Sequence, residues 1–327
     1  MGEKLPTLLT LLPAVVTVYG TMAGGFLLRR YGFFSSSVDV PMMRLVINVL
    51  FPAFIISKLL GNMPDAAAVA PAIGFGSLVV GFAVAYLASP WLGLTQPRSR
   101  RAFALVVGVF NFGFLPIPLA TALGSAGLVH PDTVPAIFVH NIGVEIAFWS
   151  IGVMLASGHF QRDSWKKLLN APLITVALVL IMNLTGAADG LAETAPRIND
   201  WILSTGTFIG GAAIPVVLFL IGGSVAEAWD EADFRRGLPT IVGASAIRLG
   251  VLPVMMVGAA YLLTDVTEGQ RDAVRDAIVI QASMPCALFP IVLCRLYGAD
   301  TATAVRAVLG TVLLSIVTTP LWLVFML

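Results

Sequence analysis

Charge is what this sequence has least of. Asp, Glu, Lys and Arg make up 11% of its 327 residues, against about a quarter in an ordinary soluble domain. With 58% of residues apolar and a mean hydropathy of +0.93, a water-soluble fold is excluded. The formal net charge is only +1, and no basic run interleaves with aromatics. Nucleic acid is excluded as a partner by that absence. Histidine is equally scarce: His130, His140 and His159 are scattered and form no His-Glu-x-x-His, which removes a zinc peptidase. Gly243-Ala-Ser245 offers a nucleophile, but no histidine follows residue 159 to serve as its base. There is no phosphate-binding loop for ATP hydrolysis. The two cysteines, Cys286 and Cys294, share one apolar stretch two helical turns apart and read as small hydrophobes. The chain is therefore expected to be no enzyme and to hold no metal and no cofactor.

What remains is hydrocarbon. Crossing a membrane takes about 20 apolar residues in a helix. Ten such stretches stand out, at approximately 7–28, 39–60, 68–94, 102–123, 134–158, 171–186, 199–223, 238–263, 272–297 and 302–326. The first is too long for a signal-peptide core and has no A-x-A cleavage site, so it is expected to stay as a span. Pro6 stands where a myristoylation signal needs Ser or Thr. Asn183, Thr185 and Gly186 close the sixth stretch early. Connectors after odd-numbered stretches carry twelve Lys and Arg residues, including Arg98, Arg100, Arg101, Arg235 and Arg236, while those after even-numbered stretches carry four. Positive charge stays on the cytoplasmic side. The expectation is a multi-pass protein of the cell membrane with both termini on the outer face.

The second half echoes the first at an offset of 174 residues, pairing Pro41 with Pro215, Arg101 with Arg275, Pro116 with Pro290, Leu119 with Leu293 and Gly124 with Gly298. An odd number of helices per copy makes the two copies enter from opposite sides. The reading is an all-α integral membrane protein of ten transmembrane helices, two inverted five-helix repeats at 1–158 and 159–327.

Both the fourth and the ninth stretch carry two prolines near mid-span: Asn111-Phe-Gly113-Phe-Leu-Pro116-Ile-Pro118, and Gln281-Ala-Ser283-Met-Pro285-Cys-Ala-Leu-Phe-Pro290. An interior proline costs roughly 3 kcal/mol, and carbonyls freed in hydrocarbon persist only where protein, water or a ligand satisfies them. Breaks at matching positions of inverted repeats start two half-helices whose N-termini converge at mid-membrane, a site suited to a carboxylate. Asn111, Gln281 and Ser283 are candidate hydrogen-bonding side chains there, Gly113 lets backbone approach a ligand, and Pro116 and Pro285 hold the breaks open. Asn141 and Glu145, four residues apart, share a helical face. Glu145 and Arg248 both fall near mid-depth, where charge marks a partner or a function. They are expected either to form an ion pair or to take part in substrate or proton coupling. His140 lies off that face and reads as a packed histidine, and Arg44 is close enough to an edge to snorkel.

On Asn111-Phe-Gly-Phe-Leu-Pro-Ile-Pro118, Ile214-Pro-Val-Val-Leu-Phe-Leu-Ile-Gly222, Arg248-Leu-Gly-Val-Leu-Pro253 and the broken ninth stretch, the sequence resembles the auxin efflux carrier family, related to the plant PIN-formed carriers and similar in fold to bile-acid sodium symporters. The resemblance spans essentially the whole chain. It implies a scaffold of helices 1, 2, 6 and 7 and a moving transport domain of helices 3 to 5 and 8 to 10, in which broken helices 4 and 9 cross. It also implies a homodimer through the scaffold and a small organic anion held at the breaks, with a proton or sodium as a coupling ion. The chain lacks a long central loop, and Gln281 and Ser283 replace an Asn-Pro pair, which points away from auxin and toward a bacterial mono- or dicarboxylate. The other readings are a channel or a sodium-coupled bile-acid-type symporter.

Overall fold

A computed structural model describes residues 4–63, 69–231, 237–263 and 271–326. Arg235 and Arg236, used in the charge count above, lie outside the described residues. Where lipid offers no hydrogen bonds, an apolar chain must satisfy its own backbone, and the described residues fold almost entirely as helix. In chain order these are α1 (Lys4–Arg30), α2 (Ser36–Leu59), α3 (Ala70–Leu92), α4 (Pro97–Gly108), α5 (Pro116–Ser125), α6 (Thr133–Ser157) and α7 (Ala171–Leu184). The second half continues with α8 (Ala187–Thr194), α9 (Pro196–Glu231), α10 (Leu238–Leu262), α11 (Arg271–Ala282), α12 (Phe289–Tyr297) and α13 (Thr301–Met326).

Helix occupies each of the ten apolar stretches, yet the expectation of ten spans is met only in part. Among the described residues seven helices are long and apolar enough to cross a membrane alone: α1, α2, α3, α6, α9, α10 and α13. An eighth is added if α7 and α8, bent by 73° at their junction, count as one span. The bend falls where Gly186 adopts a left-handed φ of 73°, a conformation cheap only for glycine. The fourth stretch is split into α4 and α5, of 12 and 10 residues, and the ninth into α11 and α12, of 12 and 9. At 1.5 Å per residue none of these four pieces spans hydrocarbon alone.

Three helices contain one widened π turn each, at Val46–Leu50 in α2, Phe148–Gly152 in α6 and Ile247–Val251 in α10. In α2 and α10 a proline, Pro52 or Pro253, follows within two residues, and its missing N–H and ring bulk unsettle the regular ladder.

Small residues set the packing, as expected where lipid removes the hydrophobic drive between helices. A Cβ at Gly222 would sit 1.9 Å from the Met22 carbonyl oxygen, and one at Gly25 would sit 2.2 Å from that of Phe219, so α1 and α9 touch backbone to backbone. Gly143 and Gly74 do the same for α6 and α3, with hypothetical Cβ atoms 1.7 Å from the Pro71 oxygen and 2.2 Å from the His140 oxygen. Where α1 ends, Arg29 bridges Asp39 and Glu227, and Arg30 meets Asp230 at 2.6 Å. Nearby Arg295, on α12, meets Glu231 at the end of α9 at 2.5 Å.

Candidate functional site

The helix of α4 stops at Gly108 because Val109 turns extended, with φ −90° and ψ 105°. The chain then runs through Phe110 to Phe112 and restarts at Pro116, a residue whose fixed φ suits a first helical turn. The ninth stretch does likewise after Ala282, restarting at Phe289-Pro290. The two extended pieces cross antiparallel. Asn111 N donates to Pro285 O at 2.8 Å and Ala287 N donates to Val109 O at 2.9 Å, with Phe110 opposite Cys286. Two broken helices thus satisfy each other's exposed backbone in the middle of the bundle, as lipid-depth irregular chain must.

Side chains complete that accounting. Asn111, 6% exposed, accepts at Oδ1 from Phe114 N (3.1 Å) and Leu115 N (3.2 Å) and so holds the turn that leads into α5. The Phe112 carbonyl, freed by the break, accepts from Asn141 Nδ2 at 2.7 Å and Gln281 Nε2 at 3.1 Å, and Gln281 Nε2 also reaches Asn141 Oδ1 at 2.7 Å. Asn111, Pro285, Asn141 and Gln281 are therefore brought together, from α6, α11 and both breaks. Gln281 is fully buried and its Oε1 meets no partner. Gly113 does not need a left-handed φ; the space where its Cβ would stand is open to 4 Å. Pro116 is buried at the head of α5.

Other expected site residues point elsewhere. The Ser283 hydroxyl donates to Ile280 O at 2.8 Å within its own helix end, while its carbonyl accepts from Thr319 Oγ1 at 2.8 Å. Glu145 accepts from Asn170 Nδ2 at 2.7 Å, and Asn170 in turn caps α7 by accepting from Leu173 N. Of the two alternatives for Glu145 and Arg248, the ion pair does not form in this structure. Arg248 lies in the π turn of α10 and donates to Ala282 O at 3.1 Å. Equal depth placed them level, but each faces a different neighbour. His140 is packed, as expected of it: fully buried, with its ring centroid 6.3 Å from that of Phe110 and neither ring nitrogen hydrogen-bonded.

Sequence reasoning missed the hydroxyls that serve the second break. Thr311 Oγ1 accepts from Cys286 N at 3.2 Å, Thr319 serves Ser283, and Tyr19 on α1 donates to Ser315 at 3.0 Å. Thr311, Ser315 and Thr319 are spaced four apart on an otherwise apolar helix, and that polar stripe was the available signal.

A cavity of about 460 Å³ opens beside α5, between Pro118, Ala122 and Ser125 on that helix, Thr17 and Thr21 on α1, and Pro215 on α9. None of Asn111, Gly113, Pro116, Asn141, Glu145, Gln281, Ser283 or Pro285 lines it. Outside the spans, Asp300 receives Ser99 Oγ at 2.6 Å and Thr303 N at 3.1 Å. Burial opposes its ionisation, but these hydrogen bonds, a third from the Thr303 hydroxyl and the charge of Arg306 together hold its carboxyl below the usual range.

Compared with known proteins, the chain matches the family described as "Membrane transport protein" in two segments, residues 10–162 and 160–323. The chain belongs to this family, the auxin efflux carriers. Among its relatives is an uncharacterized transporter of the archaeon Methanothermobacter thermautotrophicus, 27% identical over 316 residues, covering 94% of this chain and 96% of the relative. Membership makes this auxin efflux carrier family protein a multi-pass membrane transporter and not an enzyme.

Proposed function

We propose that the chain carries a small organic anion, a carboxylate, across the cell membrane by alternating access, with the crossing of the two breaks as its substrate site. The observation that carries this reading is the antiparallel contact of Asn111 with Pro285 and Ala287 with Val109, which fixes two half-helix starts beside the amides of Gln281 and Asn141. Helix N-termini attract anions. At α5 Asn111 already uses the Phe114 and Leu115 amides. Neither half-helix has a side-chain cap on its first turn, and with the Phe114 and Leu115 amides already taken, the α12 side is the freer of the two for a carboxylate.

In this reading α4 with α5 and α11 with α12 each make one crossing, giving ten spans as two inverted five-helix repeats divided near residue 158. Both termini lie outside the cell membrane. Contacts of α1 and α2 with α9 and of α2 with α7 support a scaffold of α1, α2, α7 and α9, which pairs with a second copy of the chain in a homodimer. The cavity between that scaffold and α5 supports an opening on one side of the crossing, while Arg295 and Glu231 join α12 to α9 on the other. A proton or sodium couples transport, and Glu145 is the candidate proton site. Glu145→Gln then removes the pH dependence of uptake; unchanged pH dependence leaves Glu145 as the partner of Asn170 alone.

The test is thermal unfolding of the purified protein against a carboxylate panel, with and without sodium and across pH, followed by counterflow in proteoliposomes. A ligand that binds the folded state raises its melting temperature. Saturable uptake with counterflow is expected. Ohmic single-channel currents would show a channel instead.

A further inference from the structure

Arg248 is the largest of the fully buried side chains, 1% exposed. Its Nη2 donates to the Ala282 carbonyl at 3.1 Å and to Met256 Sδ at 3.5 Å, its guanidinium stands 5.2 Å from the centre of the Phe110 ring, and its Nε is unpartnered. The arginines near the helix ends are treated differently: Arg29, Arg30 and Arg295 each hold a carboxylate. Among the described residues no carboxylate lies within 4.0 Å of Arg248, and Glu145 is engaged with Asn170. A buried guanidinium without a counter-charge is costly, so its retention asks for a compensating role.

The backbone around it supplies one. Four helix ends converge at the crossing: the C-termini of α4 and α11, at Gly108 and Ala282, and the N-termini of α5 and α12, at Pro116 and Phe289. With about half an elementary charge at each end and opposite signs, the helix dipoles alone nearly cancel. Arg248 sits on one negative end, the Ala282 carbonyl, and against Phe110, the residue at the centre of the crossing. That tips the balance to net positive without offering the guanidinium itself to the solute. The α10 site has no counterpart in the first half, where the 174-residue offset puts Gly74.

We propose that Arg248 is the charge-selecting residue of the crossing, a fixed cation held behind Phe110 that makes the site accept an organic anion and refuse its uncharged isostere. The proposal rests on the carrier reading above and adds the origin of its selectivity. The experiment measures melting-temperature shifts of wild-type protein, Arg248→Lys, Arg248→Gln and Arg248→Met with acetate, lactate, succinate and benzoate, each beside its uncharged amide. Gln can still donate to Ala282 O, so it separates charge from capping, and gel filtration checks that each variant is folded.

At least one acid is expected to stabilise the wild type with its amide inert, and Arg248→Lys is expected to keep that preference. Arg248→Gln and Arg248→Met are expected to lose about thirty-fold of the acid-over-amide ratio, as removal of a charge that acts through buried protein without touching the solute can. An acid preference retained in either folded uncharged variant, or lost equally in Arg248→Lys, overturns the role of Arg248 alone. No shift of the wild type with any of the four acids overturns the carboxylate reading as well.

Discussion

The two breaks look alike on paper and are built differently. The first carries much of its own support: Asn111, Pro116 and Pro118 lie within eight residues, and Asn111 holds the turn before the helix that follows. The second borrows support from outside. Thr311 and Thr319 on α13 take up its backbone at Cys286 and Ser283, and Arg248 on α10 takes the Ala282 carbonyl. Besides the backbone bonds of the crossing, Gln281 is the side chain of the second break that serves the first, at the Phe112 carbonyl, where Asn141 of α6 also donates. The first break is thus more locally encoded than the second, whose side-chain support comes from the assembled bundle. Inverted repeats can therefore share a path through the membrane while dividing the labour of holding it open.

The largest effect should come from cutting the one side chain that serves both. Gln281→Leu removes the bonds to Phe112 O and Asn141 Oδ1; Phe112 O keeps Asn141 Nδ2, while Asn141 Oδ1 is left without a donor. That orphan costs about 1–3 kcal/mol, so thermal unfolding in detergent should show a loss of that order, and transport should fall with it. A variant as stable as the wild type would mean that water takes the place of Gln281 at Asn141, and that the two breaks are independent.

Next comes the local device. Asn111→Ala leaves Phe114 N and Leu115 N without their shared acceptor and should cost about 1–2 kcal/mol in unfolding experiments. The ligand readout separates the breaks further. Asn111→Ala should also lower affinity for the stabilising carboxylate, and equal affinity would place the anion wholly at the α12 side. At the borrowed break, Thr319→Val removes the bond to Ser283 O and the long contact from the Tyr19 hydroxyl, which keeps Ser315, for about 1 kcal/mol in the same unfolding measurement.

This asymmetry also explains what could be read in advance. Hydropathy located helix in every stretch, since lipid dictates both length and composition, and the eighth, expected at 238–263, is observed at Leu238–Leu262. The seventh, expected at 199–223, runs instead over Pro196–Glu231, because Arg29, Arg30 and Arg295 stabilise the acidic turn at its end that hydropathy alone discards. The first break was legible because Asn111 and the prolines are neighbours in sequence. The hydroxyls of α13 were not, because nothing near Ser283 names a partner 36 residues away. The expected level of Glu145 and Arg248 came from residue counts, which give depth but no azimuth, and the π turns at Phe148–Gly152 and Ile247–Val251 shift the helical phase further.

The smallest predicted effect tests whether the broken segments are joined anywhere besides their crossing. Ser99 in the first turn of α4 donates to Asp300, which lies just past α12 and caps α13 through Thr303. The Asp300 carboxyl is held below the ordinary carboxylate range: burial works against this, but the Ser99 and Thr303 hydrogen bonds and the charge of Arg306 outweigh it. A group whose folded value is depressed stabilises the fold above its unfolded value, and the contribution vanishes as pH falls through the folded one. Because Asp300 is half-exposed, solvent screening keeps the amount to about 0.5 kcal/mol. Asp300→Asn should lower the melting temperature slightly at neutral pH and flatten its decline on acidification, while acid-over-amide discrimination at the crossing stays unchanged. If Asp300→Asn altered that discrimination, the ends of the broken helices would be coupled to their middle, and the two breaks would have to be treated as one mechanical unit.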